Sequence, residues 1–121
     1  RLAAEVGTAA PLAAAMEAGE AVPIEHRRTF VDGIGGPRLF EDMWDLARRL
    51  LQGVAIAELE EICSAIRLLV ERHAIVAEGG GAAPVAAALA GRAGAGKVVC
   101  VVSGGNLDPD KLATILAGGI P

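Results

Sequence analysis

Ten residues constrain this chain more than any others: Lys97-Val98-Val99-Cys100-Val101-Val102-Ser103-Gly104-Gly105-Asn106. Four valines and one small thiol, with no polar interruption, predict a strand buried on both faces, the pattern of a parallel sheet. The run stops abruptly at Ser-Gly-Gly-Asn, where glycine lets the backbone turn tightly and approach another group closely. Ligands of open α/β sheets bind at the carboxyl ends of strands, which is where Ser103 falls. The rest of the chain is read as the surroundings of that serine.

The elements around it alternate. Arg1 to Val6 predicts a short strand. Pro11 suits the first turn of a helix that runs through Leu12, Ala15 and Met16 to Glu17 and closes at Gly19. Glu20 to Thr29 reads as a loop or edge strand, and Phe30 to Pro37, with three glycines and a proline, as a special loop. A helical stripe at Leu39, Met43, Leu46, Ala47 and Leu50 predicts a helix over 39–51 with its charged residues facing solvent. Gly53 to Ala57 predicts a strand. Glu58 to Arg72 carries the strongest helical pattern, with Leu59, Ile62, Ile66, Leu69 and Val70 on one face. Ala74 to Ala77 predicts a short strand, Ala82 to Ala90 a small-residue helix, and Asp110 to Leu116 a last helix capped by Asp108 or Asp110. This order predicts an α/β fold with a mostly parallel sheet.

At 121 residues the chain has room for one domain with a real core. Apolar residues make up 53% and aromatics only 2%, so the core is aliphatic. Such hydrophobicity also suits a face that another segment normally covers. A net charge of −4 and the scarcity of aromatics argue against nucleic-acid binding. His26-Arg27-Arg28, the one basic cluster, reads as a solvated loop. No apolar run reaches membrane-spanning length and the start has no signal-peptide pattern. Cys63 and Cys100 read as buried free thiols in a reducing cytoplasm, with a disulfide between them as the alternative.

On local grounds Glu78 is either a pocket carboxylate that its apolar and glycine neighbours cannot solvate, or a carboxylate near a helix N-terminus. Gly79-Gly80-Gly81 has neither the following Lys-Ser/Thr of a phosphate loop nor dinucleotide spacing, so close packing is the expectation. His26 and His73 lack metal-ligand spacing. Ser103 has no nucleophile-elbow pattern, which argues against hydrolase chemistry. Its bland role is a turn serine bonding nearby backbone.

Two stretches carry a resemblance: Val76-Ala77-Glu78-Gly79-Gly80-Gly81-Ala82-Ala83, and Gly96 through the valine run to Ser103-Gly104-Gly105-Asn106-Leu107-Asp108. With Ala4-Glu5-Val6, Ala18-Gly19 and Asp32-Gly33-Ile34 in matching order, they resemble the C-terminal part of the threonine dehydratase and serine racemase family. These are fold-type II pyridoxal-phosphate enzymes. The resemblance implies part of a three-layer large domain, with residues 1–121 forming a single incomplete α/β domain. It implies that Ser103 hydrogen-bonds the cofactor's pyridine nitrogen, that Gly104, Gly105 and Asn106 shape the loop beside it, that Gly33 lies near the ring, and that Glu78 lines the pocket. It places Glu5 and the carbonyl of Ala9 where many relatives bind a divalent cation, although Pro11 stands where some supply a further acid. Gly79 replaces the family's usual proline, and Gly35-Gly36 replace the residues that usually follow Asp-Gly-Ile.

The family's Schiff-base lysine and phosphate loop lie upstream of everything matched. Lys97 and Lys111 are the only lysines, and neither has the context of a catalytic one. The resemblance therefore implies a piece of a threonine or serine ammonia-lyase that forms one side of the cofactor pocket and is inactive alone. The expected partners are the remaining part of the same enzyme, its amino-acid substrate and further copies in a homo-oligomer. The rival reading is a non-catalytic α/β interaction module, or a split-protein remnant, that pairs with another polypeptide.

Overall fold

A computed structural model describes residues 1–121. Two strands, β1 (Leu2–Val6) and β2 (Gly53–Ala57), pair in parallel in a register running from Leu2 opposite Gly53 to Val6 opposite Ala57. Parallel strands cannot be joined by a tight turn. The crossover between them carries two helices, α1 (Pro11–Ala18) and α2 (Glu41–Leu50). Three more follow: α3 (Leu59–His73), α4 (Gly79–Leu89) and α5 (Pro109–Leu116). Helix α4 packs on both strands, α3 packs along α4, and α5 packs on α3. This is the expected mixed α/β architecture with a parallel sheet, here of two strands.

Local chemistry sets the element ends. Pro11 occupies the first position of α1, where a missing N–H costs nothing, and Gly19 closes the helix in the left-handed region at φ 78°. At the start of α3 the Glu58 N–H donates to the Glu61 carboxylate at 2.8 Å. Arg92, just beyond α4, grips both oxygens of that carboxylate at 2.7 and 2.9 Å, which ties α4 to the first turn of α3. The core between these elements comprises Val6, Ala57, Ile62, Ile66, Ala82, Ala83, Ala86 and Ile115 among others. Its many alanines let helix and sheet backbones approach closely.

The valine run departs from expectation. Residues 98–102 form no strand pairing, and Val99 and Val101 are 89% and 68% exposed. A strand exists only where a neighbour accepts its backbone hydrogen bonds. Here β1 is paired to β2, and a cavity of about 370 Å³ opens between β1 and residues 97–101, with Pro84 and Ala87 of α4 also lining it. The burial on both faces that the sequence pattern predicts is therefore not found in this chain. Residues 74–77 likewise form no strand, although Ala77 is fully buried.

The helices differ in detail. Helix α4 begins at the three glycines rather than at Ala82, which leaves Pro84 inside it. Helix α2 forms as expected, yet none of its residues is buried. Asp108 takes the N-cap position of α5 without a side-chain capping bond, because its carboxylate pairs with Lys111 at 3.0 Å. Both cysteines are free thiols: Cys63 is buried, and Cys100 is half-buried with its Sγ 3.5 Å from the Pro84 carbonyl. No helix is long and apolar enough to cross a membrane.

Candidate functional site

Three loops converge on the carboxylate of Glu78. The residue precedes α4, its N–H donates to the Gly104 carbonyl at 3.0 Å, and its own carbonyl accepts from Ala82 at 2.9 Å. A Cβ added to Gly33 would lie 2.9 Å from Glu78 Oε1, and one added to Gly104 would collide with the same oxygen. Only residues without side chains fit on these two sides of the carboxylate. Glu78 makes no side-chain cap on α4, so its carboxylate belongs to this meeting point of loops.

The glycines on either side lock the loops together. A Cβ on Gly79 would meet Val31 Cγ2 at 2.6 Å, one on Gly80 would meet Ile34 Cγ2 at 2.8 Å, and one on Gly81 would meet the Gly104 carbonyl at 2.6 Å. Gly105 sits as tightly on the Val76 carbonyl, at 2.8 Å. The triple glycine is therefore a packing device, as its sequence context suggested. Ser103 and Asn106 sit on the loop that carries Gly104, both exposed, and the Ser103 hydroxyl bonds no group of this chain. That removes the bland reading of a turn serine tied to nearby backbone.

The structure brings Gly33, Glu78 and Gly104 into one cluster, with Ser103 next to Gly104 in the chain and Asn106 further along the same loop. Glu5 and Ala9 serve elsewhere. The Glu5 carboxylate accepts the amides of Leu12 and Ala13, each at 2.9 Å, and so caps α1 from the neighbouring strand. Burial raises its pKa above the usual 4.5, and the two amide bonds pull the other way. The Ala9 carbonyl lies against Gly35, 2.7 Å from where a Cβ would stand. No group of three or more His, Cys, Asp or Glu residues could hold a metal. A hard divalent cation takes six or more oxygens, and one engaged carboxylate with one carbonyl does not make such a site, so no role for a metal is derived. Sequence reasoning passed over Thr8, whose Oγ1 is buried without a partner in the turn after β1. A polar residue between a strand and a helix was the only signal for it.

The profile of the family described as pyridoxal-phosphate dependent enzyme matches residues 2–104. The chain belongs to that family. It is 36% identical to the L-threonine ammonia-lyase of Geobacter sulfurreducens over 107 residues, which are 87% of this chain and 27% of the relative. It is 34% identical to the L-threonine ammonia-lyase of Thermotoga maritima over 88% of this chain and 27% of the relative. Among solved structures, a threonine deaminase from T.th. superposes with a TM-score of 0.77 at 31% identity, over 88% of this chain and 39% of that one. Maize serine racemase superposes at 0.81 with 27% identity, over 97% of this chain and 39% of that one. The chain thus spans about a quarter of the length of the ammonia-lyases it matches.

The Ser103 hydroxyl, exposed and engaged by no group of the chain, is free to bond a cofactor's ring nitrogen, whereas the space beside Gly33 and Gly104 is taken by the Glu78 carboxylate.

Proposed function

We propose that this chain is an incomplete α/β domain forming one wall of the pyridoxal-phosphate site in a threonine or serine ammonia-lyase. The convergence of Gly33, Glu78 and Gly104 from three separate stretches carries this reading. Ser103 holds the pyridine nitrogen through its hydroxyl. Gly33 lies near the ring, Gly104 and Asn106 shape the loop beside it, and Glu78 lines the pocket. The cofactor supplies an electron sink for elimination from the amino acid. A neutral hydroxyl at its nitrogen tunes that sink less strongly than a carboxylate would.

The reaction needs a covalent anchor that this chain does not offer. Lys97 is exposed on the unpaired segment. The Lys111 ammonium sits between Asp108 at 3.0 Å and Asp32 at 3.9 Å. Those carboxylates hold its pKa above the usual value, which disfavours the free amine that an anchor requires. The chain acts with the remaining part of the same enzyme, and the open cavity beside β1 and the exposed valines mark where that part packs. The two free thiols suit a reducing compartment, and we assign the cytoplasm on that ground.

Reconstitution tests this. The chain is combined with the upstream part of the Geobacter sulfurreducens ammonia-lyase, cofactor is added, and 2-oxo acid release from threonine or serine is followed. Activity is expected only from the combination, and Ser103→Ala is expected to reduce it at least about tenfold. Full activity with Ser103→Ala would remove that residue from the site. A borohydride-stable cofactor adduct on Lys97 or Lys111 of the isolated chain would overturn the claim that the anchor lies outside it. The rival reading, a non-catalytic module that pairs with another polypeptide, draws on the same uncovered valines. It predicts association in the mixture with no 2-oxo acid formed.

A further inference from the structure

Helix α4 opens on three glycines in succession, Gly79, Gly80 and Gly81, all of them buried. Glycine is among the weakest helix formers, so a first turn built from it calls for a reason beyond the helix itself. The reason lies in what the first two face. A Cβ on Gly79 would stand 2.6 Å from Val31 Cγ2 and 3.0 Å from Val31 Cγ1, and a Cβ on Gly80 would stand 2.8 Å from Ile34 Cγ2. Each glycine is the seat of one branched side chain from the 31–34 loop.

Gly33 lies between those two side chains in the sequence. Val31 is only 4% exposed, and its branched Cβ leaves χ1 little freedom. Its N–H donates to Thr29 Oγ1 at 3.2 Å, so it cannot swing aside. One residue beyond Ile34, Gly35 closes on the Ala9 carbonyl. The turn of α4 that holds both seats follows directly on Glu78, whose carboxylate lies against Gly33. A packed interior transmits a shift at either seat rather than absorbing it. The two seats therefore fix where the Gly33 backbone stands relative to Glu78.

We propose that Val31 and Ile34 are positioning residues for the cofactor site: keyed into Gly79 and Gly80, they set the spacing between Gly33 and the Glu78 carboxylate. This role rests on the reading that Gly33 lies near the cofactor ring.

The Gly80–Ile34 pair tests it, because Ile34→Ala leaves only a Cβ 3.7 Å from the methyl that Gly80→Ala adds, an ordinary contact. Amide and carboxyl NMR of the full chain reads the spacing at Gly33 and Glu78, and thermal unfolding reads stability. Gly80→Ala is expected to shift both signals with little change in Tm, since alanine is the better helix former. Adding Ile34→Ala is expected to return both signals toward the wild type. In the enzyme reconstituted with the upstream part of the Geobacter sulfurreducens relative, Gly80→Ala is expected to raise the Kd for pyridoxal phosphate about tenfold, and the double variant to recover it to within about threefold. Unmoved NMR signals in Gly80→Ala, no recovery in the double variant, or a wild-type Kd in the single variant would each overturn the proposal. So would a Kd that follows Tm across the variants, which is the mark of packing alone. A wild type that takes up no cofactor, while the NMR signals move and return as expected, would overturn the cofactor reading and leave the keying of Gly33 to α4 standing.

Discussion

At the scale of single residues, the glycines around Glu78 separate packing from chemistry. Gly81→Ala drives a Cβ into the Gly104 carbonyl, and backbone cannot rotate away. A loss of about 1–3 kcal/mol in urea unfolding is expected. Gly104→Ala collides instead with the end of the flexible Glu78 side chain. It is expected to cost under about 1 kcal/mol while displacing the carboxylate, so that cofactor-dependent activity of the reconstituted enzyme falls with little change in stability. Glu5 gives a pH signature. Its pKa in the fold is raised by burial, so the folded chain takes up the proton at a higher pH than the unfolded chain. This group alone therefore adds stability as pH falls through the carboxylate range and withdraws it as pH rises. Unfolding of the wild type and Glu5→Gln across that range should show the wild type gaining on the variant as pH falls. Carboxyl NMR should place the Glu5 midpoint above 4.5.

At the scale of elements, one ion pair joins α3 to α4. The hydrogen bond from Arg92 lowers the Glu61 pKa, with the Glu58 amide helping. A depressed carboxylate contributes stability above its unfolded pKa and loses it as pH falls through the folded one. Arg92→Ala should therefore bring the Glu61 midpoint back toward 4.5 and remove this part of the acid sensitivity, both readable by NMR titration. The pair is partly solvent-exposed, so the change in stability at neutral pH should be small. Helix α2 is the opposite case, an element that touches α1 while Met43, Leu46 and Leu50 stay exposed. Its periodicity was legible in the sequence. Which way the stripe faces was not, because a 3.6-residue repeat fixes a face relative to the helix and not relative to the rest of the molecule.

At the scale of the molecule, the exposed valines line an open cavity beside β1 that no strand of this chain fills. Val99→Lys should change the stability of the isolated chain by less than about 0.5 kcal/mol, since Val99 packs on almost nothing here. The same substitution should impair association with the upstream part of the relative. An equal loss of stability in the isolated chain would show that Val99 already packs within it.

The sequence by itself determined the five helices, the strands β1 and β2 and the glycine-framed loops, while the further strands it predicted at 74–77 and in the valine run did not form. Each of these rests on local rules: periodicity, capping, and what glycine and proline permit. It also pointed to Ser103, Gly33 and Glu78 through resemblance. Only the tertiary structure decided that Gly33 and Gly104 close on the same Glu78 oxygen, because steric fit between distant loops leaves no local trace. It likewise gave Glu5 to the amides of α1. The valine run shows the division most plainly. Its composition predicted burial on both faces, but burial requires neighbours, and in this structure Val99 and Val101 have almost none.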